Sequence, residues 1–244
     1  MIALPRALQP NRRIIYAALF VTLGALLVFS PAEATLGNVV KIVYAHGAAE
    51  RVSMYAYLLA GALGLVYLSL RAFFAKQSQI RDLETPAWLW RSPATVTCGA
   101  SVASSQTTLL AMTESLARWM RAATETAIVF WLAQFVISAP AQVLAWGAFT
   151  LDEPRVAGAL WILALTALVY LVARWIGEPG WIALAAIANA VIVVLVLRGA
   201  INILHPVDPI TGSDSMAIQA FYAAIVLVTG ALALQFARDC AAAS

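Results

Sequence analysis

Six apolar runs, each about as long as a helix must be to cross a bilayer, dominate the sequence. They lie at about 14–30, 52–74, 126–145, 156–175, 181–201 and 217–236. Roughly 20 apolar residues in a helix span a hydrocarbon core about 30 Å thick. None of the runs alternates apolar and polar residues with period two, as barrel strands do. Helices are therefore the way these runs satisfy their backbone groups in lipid. Composition agrees, because 63% of the 244 residues are hydrophobic and only 11% are charged. A soluble domain carries roughly 25% charged residues, so this chain has too little charge to clothe a water-facing surface. The sequence predicts an all-α integral membrane protein, one domain over 1–244, built as a bundle of about six transmembrane helices.

The first run carries a second signal. Arg6, Arg12 and Arg13 precede it, and Ala32-Glu33-Ala34 follows it. That layout resembles a cleavable signal peptide. The reading adopted is that the run is retained as helix one.

Orientation follows from the Lys and Arg residues, which favour the cytoplasmic side. With the N-terminus inside, the inner segments hold Arg6, Arg12, Arg13, Arg71, Lys76, Arg81, Arg91, Arg118, Arg121, Arg174 and Arg238. The outer side holds only Lys41, Arg51, Arg155 and Arg198. Both termini are then cytoplasmic, and the expected location is the cell (inner, cytoplasmic) membrane, crossed several times. The polar stretch 77–123 becomes an extended cytoplasmic connection, with 109–123 a candidate amphipathic helix. Trp88, Trp90 and Arg91 within it have the character of interfacial anchors. The net charge is +3 and no basic stretch stands clear of the membrane, which argues against nucleic acid as a partner. The two cysteines, Cys98 and Cys240, lie far apart. They form neither a disulfide framework nor a Cys-x-x-Cys metal or haem-attachment motif.

Chemistry is confined to few residues. The only two histidines, His46 and His205, both fall on the expected outer side, one before the second run and one after the fifth. Two imidazoles brought together from different helices are what axial ligation of haem iron needs. Two histidines scattered at membrane interfaces would give the same sequence. The four outer cations cluster around them. Lys41 and Arg51 flank His46, Arg198 precedes His205, and Arg155 opens the fourth run. Haem carries two propionates that such cations would bind; lipid headgroups would use the same cations. Gln134 and Asn189 are polar residues inside apolar runs. They either line a path, as in a small transporter, or hydrogen-bond neighbouring helices. Glu125, near the inner end of the third run, is read as interfacial, and Gly61 and Gly64 as close-contact positions.

Three segments carry a family resemblance. Lys41-Ile-Val-Tyr-Ala-His46 resembles the Arg/Lys-Ile-x-Tyr-x-His segment before helix two of the haem-handling membrane proteins of cytochrome c maturation, the CcmC type. Trp146-Gly-Ala-Phe-Thr-Leu-Asp-Glu-Pro-Arg155 resembles, without a gap, that family's outer loop Trp-Gly-x-Trp-Trp-x-Trp-Asp-Pro-Arg. Leu204-His205 resembles the Leu-His after its fifth helix. The order and spacing of helices match over nearly the whole chain, the extended inner connection excepted. The resemblance implies a non-covalent, b-type haem held at the outer face, with His46 and His205 as axial ligands. It further implies that the loop holding Trp146, Phe149, Glu153 and Arg155 lies against the porphyrin. Lys41, Arg51, Arg155 and Arg198, clustered around the histidines, are expected to divide between its propionates and lipid. It implies delivery to an outer-side haem carrier, in company with other membrane subunits of the maturation machinery, and no bond-making activity of an enzyme. The loop is degraded here, since Trp146 alone remains of its tryptophans, with Phe149, Thr150 and Asp152 at the other three positions and Glu153 in place of Asp. Ala200-Ile201 stands where two tryptophans are usual, and Gly47-Ala48 where Val-Pro is. A second reading follows from those losses: a divergent structural subunit of a larger membrane complex, without haem.

Overall fold

Each apolar run becomes a helix, and local chemistry sets where the helices stop. The computed structural model describes residues 11–34, 36–84, 95–200, 210 and 213–243, with side chains described to 76 in the second helix and from 110 in the third. The helices are α1 (Arg12–Phe29), α2 (Val40–Glu84), α3 (Thr95–Trp146), α4 (Pro154–Ile176), α5 (Pro179–Gly199) and α6 (Met216–Ala243). Each contains a stretch long and apolar enough to cross a membrane, as the sequence predicts.

The ends are legible residue by residue. Asn11 caps α1, its side chain accepting from the Arg13 N–H at 3.1 Å. Glu153 caps α4 by accepting from the Val156 N–H at 2.8 Å, with Pro154 at the first helical position. Both devices satisfy amides that no preceding turn can serve. Gly177 ends α4 in the left-handed conformation, φ +80°, and its N–H donates to the Ala173 carbonyl at 3.1 Å. Pro179 then opens α5, so Gly177-Glu178-Pro179 makes a two-helix hairpin with almost no loop. Gly37, at φ +55°, turns the α1–α2 connection, where it exchanges backbone hydrogen bonds with Glu33.

Two boundaries differ from the sequence reading. α2 begins at Val40, so His46 stands within its second turn and not ahead of it. Residues 77–84 continue α2, and the residues from Thr95 to 123 belong to α3. Polarity alone does not end a helix once it is nucleated, and the candidate span of α3 already begins at Leu110. The tryptophans Trp88 and Trp90 lie outside the described residues.

Successive helices run up and down. α2 is central, packed on α3, α5 and α6; α4 packs on α5 and α3, and α1 rides mainly on α6. Two glycines let α2 reach α5. A Cβ at Gly61 would stand 2.7 Å from the Ala190 Cβ, and one at Gly64 2.8 Å from the Ala183 carbonyl oxygen. Lipid offers helices no hydrophobic incentive to associate, so such close contact is what holds them.

Polar side chains tie the bundle at several levels. At the end that holds the start of α1 and the end of α6, Arg12 pairs with Asp239 at 3.2 Å, and the Tyr16 hydroxyl donates to the same carboxylate at 3.0 Å. Glu125 there accepts from Arg121 at 3.0 Å and from the Tyr170 hydroxyl. Deeper in, the Tyr57 hydroxyl lies 2.8 Å from that of Thr166, whose backbone carbonyl accepts from the Asn189 amide at 3.2 Å.

Candidate functional site

The opposite end of the bundle opens on a cavity of about 530 Å³. Small-molecule and cofactor sites run from about 300 to 1,000 Å³. Its α3 wall is a stripe of Gln134, Ser138, Ala141, Gln142 and Ala145, ending at Trp146. Steps of three and four residues put these on one helix face. Pro140 interrupts the stretch; it has no N–H to return to the carbonyl one turn back. Beneath the stripe, Trp131 lines the cavity with its ring, while its Nε1–H donates to the Ala159 carbonyl at 2.9 Å. Val40, Val43 and Tyr44 of α2, Val156 of α4, Leu197 of α5 and Ile218 of α6 supply much of the apolar lining.

His46 lines this cavity from α2. Its Nδ1 lies 3.1 Å from the backbone carbonyl of Gln134. A carbonyl only accepts, so Nδ1 is the protonated nitrogen and the lone pair belongs to Nε2. That is the arrangement of a metal-ligating histidine, whose second nitrogen is normally held by a carbonyl or carboxylate. Nε2 lies 3.9 Å from Glu50 Oε2, one helical turn further on.

The residues expected at the site divide. His46, Trp146 and Arg155 line the one cavity, with Trp146 half exposed at its rim. Lys41 does not line it, because its Nζ donates to the Val28 carbonyl at 2.6 Å; an ammonium suits the orphaned carbonyls at the end of α1. Arg51 stacks over the Tyr222 ring, 5.3 Å from its centroid. Arg198 is exposed in the last turn of α5. Glu153 is buried as the cap of α4, and Phe149 is exposed on the loop before it. His205 lies outside the described residues.

Several cavity residues escaped the sequence reading. Glu33, Glu50 and Asp214 bring three carboxylates to the lining, from the α1–α2 connection, α2 and the segment before α6. Glu33 is anchored there by the Leu36 N–H, which donates to its Oε2 at 2.7 Å. Glu50 had a legible signal, four residues from His46 on one helix. Ser138 and Gln142 had one too, four and eight residues after Gln134. Glu33 and Asp214 had none, since loops alone bring them in. Among the described residues no three His, Cys, Asp or Glu side chains gather as metal ligands.

The chain matches no family model and no curated protein. The cavity itself therefore carries the functional case. A haem fits in part: one correctly held imidazole, an indole and a guanidinium share a space of suitable size, while the three carboxylates would not favour its propionates.

Proposed function

We propose that this chain is a haem-binding membrane protein acting in haem handling and delivery for cytochrome c maturation. Haem would lie at the cavity end, non-covalently, with His46 and His205 as axial ligands. The placement of His46 carries the reading. The imidazole on the wall of a ligand-sized cavity, with its Nδ1 proton held by a backbone carbonyl, would present Nε2 for ligation. Trp146 and Arg155 support it, because both come from the segment that resembles the CcmC type and both reach the same cavity. Bound haem would supply the visible spectrum and the metal centre. The chain would supply an axial nitrogen, an indole at the rim and a guanidinium for a propionate. The expected partners are an outer-side haem carrier and further membrane subunits of the maturation machinery, in the cytoplasmic membrane.

Absorption spectra of the purified protein, oxidised and reduced, test this. We expect the bands of a low-spin b-type haem, converted to high spin or lost in His46→Ala and in His205→Ala. The three cavity carboxylates favour the second reading, a structural subunit without haem, and a colourless protein expressed with ample haem would establish it.

A further inference from the structure

The end of the bundle away from the cavity treats its arginines unequally. Arg12 pairs there with Asp239, and Arg121 with Glu125. Arg118 of α3 and Arg238 of α6, both exposed, make no hydrogen bond or ion pair among the described residues. They line one hollow of about 370 Å³, and α3 packs on α6. Trp119, Ala241 and Ala242 complete the lining, and the short alanine side chains leave the space open. The Trp119 indole is 38% exposed, and its N–H donates to nothing among the described residues. The side chains of this lining therefore offer donors and no carboxylate. Two like charges on one space repel each other unless an anion joins them.

The depth of the hollow says which anion meets it. α1 is an apolar helix of 18 residues, about 27 Å long, close to the thickness of a hydrocarbon core. Its first residue, Arg12, therefore lies at the edge of the hydrocarbon. Asp239 meets Arg12 at 3.2 Å, so Arg238, its neighbour along α6, lies at that edge too. Phospholipid phosphates stand at this level. Indoles gather there as well, and basic pockets between membrane helices take lipid headgroups.

We propose that Arg118 and Arg238 clamp the phosphate of an anionic phospholipid in the hollow between α3 and α6, with the Trp119 N–H as a further donor. The guanidiniums supply charge-assisted hydrogen bonds to the phosphate oxygens. A lipid that carries its own ammonium, as a choline headgroup does, brings no net charge to answer two guanidiniums. The site therefore selects net-negative lipids. It lies at the opposite end of the bundle from the cavity, so lipid binding there stands whether or not haem binds.

The test uses the purified full chain in detergent, with lipid binding read by native mass spectrometry. The probes are dioleoylphosphatidylglycerol, dioleoylphosphatidylcholine and inorganic phosphate. We expect the wild type to prefer phosphatidylglycerol over phosphatidylcholine by roughly ten- to thirtyfold, the worth of two arginines at a lipid surface. Arg118→Gln and Arg238→Gln should each lower phosphatidylglycerol affinity about fivefold. Arg13→Gln removes the same charge at the same end but outside the hollow, and should leave the affinity within about twofold of wild type. Ala242→Phe fills the hollow and keeps both charges, so it should weaken binding as the two arginine variants do. Equal binding of the two lipids would overturn the proposal. So would an unchanged affinity in Ala242→Phe, or a loss in Arg13→Gln as large as in Arg118→Gln and Arg238→Gln, since the arginines would then act as diffuse surface charge. Displacement of phosphatidylglycerol by excess inorganic phosphate would make the hollow a site for free anions and overturn the lipid assignment.

Discussion

Gln134 and Asn189 look alike in the sequence, each a single amide inside an apolar run. The structure gives them different work. Asn189, fully buried, hydrogen-bonds the backbone of α4 and helps join α4 to α5. Gln134 turns its side chain to the cavity and uses its backbone to hold His46. The outer cations separate in the same way. Arg155 reaches the cavity, Lys41 caps α1, Arg51 lies on an aromatic ring and Arg198 is exposed. Neutralising Arg155 to Gln should weaken haem retention by roughly ten- to a hundredfold, the 1.5–3 kcal/mol of a charge-assisted hydrogen bond. Lys41→Gln and Arg198→Gln should leave it within about twofold of wild type. Haem titration of the three variants is the measurement. A loss confined to Lys41→Gln or Arg198→Gln would show that the propionates lie elsewhere.

At the scale of helices, the decisive contact is α2 on α5. Gly64 admits no Cβ without a clash against the Ala183 backbone, an atom that cannot rotate away. Gly64→Val should therefore destabilise the bundle by about 1–3 kcal/mol, as overpacking does. Gly24 on α1, with nothing within 4 Å of its would-be Cβ, is the control. Gly24→Val should change the melting temperature in detergent little, while Gly64→Val lowers it by several degrees. Equal effects would mean that helix propensity, and not packing, governs both positions. α1 is held differently. It contributes no buried residue of its own, and polar ties at its two ends, Arg12 and Tyr16 to Asp239 and Val28 to Lys41, secure it. Asp239→Asn should loosen it first, seen as faster proteolysis in the α1–α2 connection without loss of the remaining bundle.

Across the whole molecule the two ends are chemically unequal. The end with the start of α1 and the end of α6 gathers Arg12, Arg13, Arg71, Arg118, Arg121, Arg174 and Arg238, while the cavity end has Lys41, Arg51, Arg155 and Arg198. The positive-inside bias would direct the cavity outward, an orientation that labelling tests. In a Cys98→Ser, Cys240→Ser background, single cysteines at Asp152 and Asp214, both exposed, should react with an impermeant reagent from outside, and one at Lys76 should not. Labelling at Lys76 would invert the protein and place the cavity on the cytoplasmic side, where delivery to an outer carrier is impossible.

What the sequence alone determined is whatever depends on neighbours along the chain. Hydrophobicity sums locally, so six spans were legible. Capping is local too: Gly177-Glu178-Pro179 encodes its hairpin and Pro154 its helix start in adjacent residues. The pairing of His46 with Trp146 and Arg155 was legible only through resemblance of segments. The tertiary structure decided which face of each helix turns inward. That phase is set by where small residues such as Gly61 and Gly64 allow backbones to meet, a property of two helices together and of neither alone. It put Gln134 and Gln142 on the cavity and Asn189 on a helix contact. It also set Lys41 on the end of α1, Arg51 over the Tyr222 ring and Arg198 outside the cavity lining. Loops carried Glu33 and Asp214 to the same lining, because chain reversal in a bundle brings distant residues to one end whatever their spacing in sequence.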